Sequence, residues 1–283
     1  MAGASGRRDR DREGAVKPAP FDYAAAASIP DALALLSRDD ARPLAGGQSL
    51  VPMMNFRFAR PALLVDINPI AELAHLAVDR AGGLRIGALA RQSALERSPL
   101  VAEGWPLLRE AVGHVAHPAI RNRGTVGGSA AHADPHAELP VALAALGARF
   151  HVRSVHGKRV LSADDLFVGP FMTALEEGEL LTEIEVPAPP PGTRMAFVEH
   201  ARTHGDFALA GAAVVLAPGF QASVWMLGAG SGPVRAPAGA EAALREGASA
   251  AQVGRLAASE VAEAHRRALV AAMVQRAVDG ARA

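Results

Sequence analysis

Two glycine pairs pose the first chemical question. Leu44-Ala45-Gly46-Gly47-Gln48-Ser49-Leu50 and Arg123-Gly124-Thr125-Val126-Gly127-Gly128-Ser129 each pass through small residues into a Gly-Gly-polar step. Paired glycines permit positive φ and remove side chains that would keep a ligand at a distance. Amides freed in such loops can cradle phosphate oxygens, helped by the start of a following helix. Gln48, Ser49, Thr125 and Ser129 add polar groups beside the backbone. A Gly-Gly step is ordinarily a tight turn, and that reading stays open for each loop. The usual nucleotide fingerprints, G-x-G-x-x-G and Walker A, do not occur. Gly228-Ala229-Gly230-Ser231-Gly232 runs into Pro233 and reads as a turn after a strand.

A second constellation is histidine-rich. His114, His117, His132 and His136 belong to a total of 10 histidines, with Asp134 and Glu138 close by. H-x-x-H and H-x-x-x-H spacings can supply zinc or iron ligands. Pro118 and Pro135 interrupt both segments, so neither pair reads as one helical face. A polar lining for a ligand cleft is the competing role. Ser49 and Ser129 lack the G-x-S-x-G elbow of a serine hydrolase.

Composition narrows the classes further. The 283 residues carry 29 basic and 29 acidic side chains, a balance without the basic footprint of a nucleic-acid binder. Zero cysteines exclude disulfides, thiolate zinc sites and cysteine-held iron–sulfur clusters from this chain. Met1 to Glu13 has no apolar core of a secretory signal. We expect a disordered tail over residues 1–17. The longest apolar run, Phe207 to Pro218, is too short to span a bilayer, so a soluble cytoplasmic protein is expected.

Elements must hold these loops in place. Strands are expected at Phe21–Ala24, Pro43–Ala45 and Ala62–Ile67, with a helix from Pro30 and another confined to start at Pro52. A hairpin follows over Leu76–Val78 and Leu84–Leu89, then a helix capped by Ser93 and another over Pro106–Gly113. Residues 113–135 read as a loop, Glu138–Leu146 as a helix, and Ala148–Val155, Arg159–Leu161 and Leu180–Val186 as strands. Pro187-Ala188-Pro189-Pro190-Pro191-Gly192 is a stiff linker. Beyond it come a meander of strands at Met195–Glu199, Ala210–Leu216 and Ala222–Leu227 and helices over 238–244, 250–257 and 260–278. The expected division is 18–190, in parts of about 18–72 and 73–190, and 193–283.

Taken with Pro61–Asn68 (PALLVDIN), the segment Ala45-Gly46-Gly47-Gln48-Ser49-Leu50 resembles the first flavin loop of the FAD-binding medium subunit of molybdenum hydroxylases. That family includes aerobic carbon monoxide dehydrogenase and the xanthine dehydrogenases. Gly124 to Ser129 resembles its second loop, T-[IV]-G-G-[NS], and Pro118–Pro140 resembles it throughout. The likeness extends through Glu179–Ile184 and Gly205–Ala208, so it covers about residues 18–283.

The resemblance implies an α+β fold: a two-part FAD-binding domain of the vanillyl-alcohol-oxidase-like (PCMH) type and a C-terminal domain of antiparallel sheet and helices. It implies FAD held by Ala45, Gly46, Gly47, Gln48, Ser49 and Leu50 on one side of the pyrophosphate. Thr125, Val126, Gly127, Gly128 and Ser129 would hold the other side. Glu138 stands where the family has an aspartate that contacts the adenosine part, and Leu181 at a backbone or apolar contact position. Relatives carry a lysine near Phe197–Arg202; this chain has none there. The implied role is electron transfer from [2Fe–2S] clusters of a small partner subunit through FAD to an external acceptor. Substrate would be hydroxylated on a large molybdopterin subunit, and no catalytic residue is assigned to this chain. Two other readings stand beside it: a metal-dependent enzyme using His114, His117, His132 and His136, or a non-enzymatic scaffold subunit.

Overall fold

The computed structural model describes residues 17–219, 221–230 and 232–283. The tail expected over 1–17 lies, except for Lys17, outside the described residues, as does Ser231 of the glycine-rich turn.

A small parallel sheet comes first. It runs through Asp22–Ala25 (β1), helix Ile29–Leu36 (α1), Ala41–Leu44 (β2), helix Leu50–Asn55 (α2) and Leu63–Asp66 (β3). The strand order is β1-β3-β2, with β3 parallel to both neighbours. β3 is central because Leu63, Leu64 and Val65 are buried, as a strand covered on both faces requires. Ser28 caps α1 by accepting from the Asp31 N–H, and Pro30 sits in the first turn. α2 begins at Leu50, not at the expected Pro52. A proline in the first turn lacks only an N–H that has no helical partner anyway.

The middle part begins with the hairpin Leu76–Val78 (β4) and Leu84–Gly87 (β5). Six helices follow: Gln92–Arg97 (α3), Pro99–Gly104 (α4), Pro106–His114 (α5), Pro118–Arg123 (α6), Val126–His132 (α7) and Glu138–Ala145 (α8). Then come Arg149–Ser154 (β6), Gly157–Leu161 (β7), Ala163–Leu166 (α9), Phe167–Gly169 (β8), Met172–Thr173 (β9) and Leu180–Val186 (β10). β4-β5-β10-β6-β7 form one sheet, antiparallel throughout. Two expectations are corrected here. Arg91, not Ser93, occupies the N-cap of α3, and Ser93 is buried in its first turn. The expected loop 113–135 contains α6 and α7. Pro118 stands where a helix tolerates proline, in the first turn of α6, so there what read as interruption is initiation, while Pro135 lies in the connection between α7 and α8.

After Pro187–Gly192 the chain forms Arg194–His200 (β11), Ala210–Ala217 (β12), Gln221–Leu227 (β13) and Val234–Arg235 (β14), an antiparallel meander. Helices Ala238–Arg245 (α10), Ala250–Ala257 (α11) and Ala264–Arg282 (α12) follow. α12 starts later than 260 because Glu263 caps it, accepting from His265 and Arg266 N–H at 2.8 Å each.

The packing does not stop at the linker. Phe197, Ala208, Ala213, Trp225 and Leu227 share one apolar cluster with Leu84, Ile86, Leu108, Leu139 and Phe150. α8, buried along its whole length, is the element around which that cluster forms. Trp105 ties the linker down by donating to the Pro187 carbonyl at 2.9 Å. Among the described residues no helix is long and apolar enough to cross a membrane.

Candidate functional site

The two glycine loops, nearly 80 positions apart in sequence, face each other. The first joins β2 to α2, and the second joins α6 to α7. A Cβ on Gly46 would strike the Arg123 carbonyl and come within 2.9 Å of the Gly124 Cα. Gly46 is therefore required by close approach of the other loop. Gly47 has φ +72°, a left-handed conformation that favours glycine. Gly127 packs so closely on strand-end residue Ala88 that a Cβ would lie 2.6 Å from its Cα. A Cβ on Gly128 would stand 2.7 Å from Thr125 Oγ1 and 3.9 Å from the Ala45 Cβ, so that position faces the first loop.

The loops differ in the amides they offer. Val126 N–H donates to the Ala90 carbonyl at 2.9 Å, Gly127 N–H to Ala88 at 3.1 Å, and Gly128 N–H to Thr125 Oγ1 at 3.0 Å. The second loop spends these donors on its own architecture. The first loop does not. Gln48 Nε2 donates to the Gly46 carbonyl at 3.0 Å. The N–H groups of Gly46, Gly47, Gln48 and Ser49 pair with no acceptor among the described residues. A loop that begins with two residues lacking Cβ atoms and carries several N–H groups without an acceptor among the described residues fits a phosphate-bearing cofactor, so the residues present suit an FAD pyrophosphate.

Two residues that sequence reasoning passed over hold the loops together. Asn68, just beyond β3, donates from Nδ2 to the Ala45 carbonyl at 2.9 Å. Its Oδ1 accepts from Arg91 Nη2 at 2.7 Å, and Arg91 Nη1 donates to the Arg123 carbonyl. Asn68 and Arg91 thus form a clip from the first loop to the second. Asp66 orients the amide by accepting from Asn68 N–H at 2.9 Å and Nδ2 at 2.6 Å, and Tyr23 donates to Asp66 at 2.6 Å. Burial opposes its charge, yet hydrogen bonds from Tyr23 and Asn68 hold the Asp66 carboxyl below its ordinary range. The available signal was a lone asparagine directly after a buried strand, at the mouth of a glycine loop. Arg121 braces α6 from behind through a two-pronged pair with Glu96 at 2.8 and 3.0 Å.

The remaining expected residues take other places. Leu50 opens α2 beside the first loop, and Ser129 lies one turn into α7. Leu181 is buried in β10 opposite Val152, its side chain in the central cluster. Glu138 is the first residue of α8 and is buried. Burial, with the Glu199 carboxylate adding to it, pushes its carboxyl up to about 8.

The four histidines go to separate partners. His114 Nδ1 lies 3.2 Å from Glu199 Oε1, and its ring packs on Phe197 and His204. His117 is the N-cap residue of α6, beside Gly205. His132 packs on Phe171, and His136 Nδ1 is 2.7 Å from the Ala208 carbonyl. Among the described residues no three His, Cys, Asp or Glu side chains gather as a metal site would require.

Comparison with known proteins shows the family of the chain. Residues 19–189 match the family described as the FAD binding domain in molybdopterin dehydrogenase. The 6-hydroxypseudooxynicotine dehydrogenase complex subunit alpha of Paenarthrobacter nicotinovorans is 45% identical over 227 residues, 78% of this chain and 76% of that protein. The carbon monoxide dehydrogenase medium chain of Afipia carboxidovorans is 43% identical over 201 residues, 70% of this chain and 69% of that one. A solved structure of carbon monoxide dehydrogenase from Hydrogenophaga pseudoflava, lacking the Mo-pyranopterin moiety of its molybdenum cofactor, superposes with TM-score 0.86 at 39% identity. It covers 93% of this chain and 98% of that one.

Proposed function

The chain belongs to the FAD-binding family of molybdopterin dehydrogenases, an oxidoreductase flavoprotein whose cofactor is FAD, and from that premise we propose a specific place for it in an enzyme complex. It is the electron-transfer subunit of a heterotrimeric molybdenum hydroxylase, in which FAD accepts electrons from [2Fe–2S] clusters of a small subunit and passes them to an external acceptor. A large molybdopterin subunit carries the substrate site, and the assembly works in the cytoplasm. The absence of cysteine supports this division of labour, since clusters of that kind need thiolates from another chain.

The observation that carries the reading is the clipped pair of loops. The free N–H groups of Gly46 to Ser49 supply donors for pyrophosphate oxygens, and Ala45 and Leu50 shape the rim. Thr125 to Ser129 form the opposite wall, with glycines where side chains would intrude. Glu138 contacts the adenosine side from the start of α8, and Leu181 supports the floor from β10. The 18–190 part, divided near 72, binds the cofactor, and 193–283 closes over it.

The test is the flavin spectrum and FAD stoichiometry of the purified chain. Replacing Gly46-Gly47 or Gly127-Gly128 with bulkier residues is expected to abolish bound flavin. Retention of one FAD per chain in both variants would overturn the two-loop clamp. Co-purification with two neighbouring subunits tests the complex, and isolation of a cluster-free, molybdenum-free enzyme with full turnover would refute it.

A further inference from the structure

Three of the four histidines flanking the second glycine loop meet one stretch of the C-terminal part, the end of β11 and its connection to β12. Ahead of the loop, His114 Nδ1 lies 3.2 Å from Glu199 Oε1, and its ring meets the exposed His204 edge-on at 6.0 Å between centroids. The Glu199 side chain is 4% exposed, and its Oε2 has no hydrogen-bond partner among the described residues, so His114 is the cation it pairs with. Gly205, at φ +85°, packs so closely that a Cβ would stand 2.7 Å from the Ala116 carbonyl oxygen and 3.1 Å from the His117 ring. After the loop, His136 Nδ1 is 2.7 Å from the Ala208 carbonyl oxygen. A carbonyl only accepts, so Nδ1 carries the proton there.

Between these two grips run α6, the Gly124–Thr125 step and α7. Helices of six and seven residues do not keep their place unaided. The backbone is strained where the grips fall. Ala116 has φ +41° just before the α6 cap, and Ala133 has φ +49° at the end of α7. Such angles in residues other than glycine persist where the surroundings impose them. Within the middle part, Arg121 Nη1 donates to the Val115 carbonyl at 2.8 Å, and the Phe171 N–H donates to the Ala133 carbonyl at 2.9 Å. Residues 199–208 add a hold on both ends from beyond the linker.

We propose that residues 199–208 form a strap that sets the position of the second FAD loop from across Pro187–Gly192, with Gly205 and His136 as positioning residues for the cofactor. This rests on the reading above that Thr125–Ser129 line the FAD site. The strap's contacts fall on His114, Ala116, His117 and His136, outside Thr125–Ser129. It therefore acts by placing α6 and α7. The strap has a shape of its own: the Leu209 N–H closes its base on the His200 carbonyl at 2.8 Å, and the Asp206 N–H donates to the Thr203 carbonyl at 3.1 Å. Both grips thus belong to one formed loop. A cofactor that binds the strapped arrangement more tightly than the loosened one loses affinity when either grip is removed.

The test uses the full chain and two readouts, FAD affinity by flavin fluorescence and amide hydrogen exchange of the FAD-free protein. His136→Ala removes one grip without straining the backbone, and Gly205→Ala pushes the strap off Ala116. We expect FAD to bind about three- to tenfold more weakly in His136→Ala and about tenfold more weakly or worse in Gly205→Ala. Exchange should quicken over residues 115–136 and stay unchanged in β1–β3. His136→Asn, which offers an amide N–H near the Nδ1 position, should restore both affinity and protection. Wild-type affinity in the two alanine variants overturns the strap. Exchange quickened evenly over the whole chain also overturns it, because the residues would then serve stability alone. If Gly205→Ala does not fold, His136→Ala and its asparagine rescue decide the matter. Retention of FAD by the Gly127-Gly128 variant is a different failure, that of the site reading on which the strap rests.

Discussion

Asn68 carries more of the site than its size suggests. It touches the first loop at Ala45, receives Arg91 from the second, and is itself oriented by Asp66. Asn68→Ala removes the acceptor for Arg91 and the donor to Ala45 together. We expect a loss of about 1–3 kcal/mol in stability and a larger fractional loss in FAD affinity, measured by denaturant unfolding and fluorescence titration. An unchanged affinity would show that the clip is dispensable. Gly46 makes a sharper case. Gly46→Ala forces a methyl group onto the Arg123 carbonyl and should cost about 2 kcal/mol. Gly104→Ala is the control, because nothing lies within 4 Å of a Cβ there; it should be neutral or slightly stabilising. Equal melting temperatures for the two variants would contradict the close approach of the loops.

At the scale of elements, short helices do the positioning. α7 is only seven residues long, and Thr125 caps it by accepting the Gly128 N–H. Thr125→Ala should cost about 1 kcal/mol and free that amide, whereas Thr125→Ser keeps the cap. Thermal melts of both variants with and without FAD check this: an alanine variant as stable as the serine one would remove the cap from the account. The regular elements of this chain were readable from pattern, because β12 and most of β3 are apolar runs and β10 alternates apolar with polar residues over Glu183–Val186. The 113–135 segment was not. Its prolines and glycines are the same residues that make loops, and only backbone pairing reveals that Pro118 starts α6 and Thr125 caps α7. Ser93 misled for a similar reason. A serine three residues before an acidic one fits a capping box, but α3 is entered two residues earlier, at Arg91.

At the scale of the molecule, one apolar cluster runs through the linker into the C-terminal sheet. The parts before and after Pro187–Gly192 should therefore unfold together. A single calorimetric transition is expected for the full chain, and two independent transitions would contradict the shared core. Buried Glu138 at the start of α8 gives the same core a pH dependence. Glu138 has a folded pKa near 8 against an ordinary 4.5. Its contribution to stability is complete below the ordinary value and is lost as pH rises toward the folded one. The wild type should thus lose stability between about pH 5 and about pH 8 relative to Glu138→Gln. Parallel stability curves for the two proteins would show that Glu138 titrates normally.

Sequence by itself determined the family likeness, the α+β class, the need for FAD and the exclusion of a thiolate-held cluster. The class and the cofactor came as implications of the resemblance carried by the two glycine loops, and the exclusion from the zero cysteine count. What the tertiary structure decided was partnership. That Gly46 lies against Arg123, that Asn68 and Arg91 clip the loops, and that His114 meets Glu199 across the linker are contacts between distant positions. Each depends on where β3, α3, α5 and β11 pack. The spacing along a chain sets which groups are present, but only the folded core sets which of them are close enough, and dry enough, to bind, orient or hold a proton.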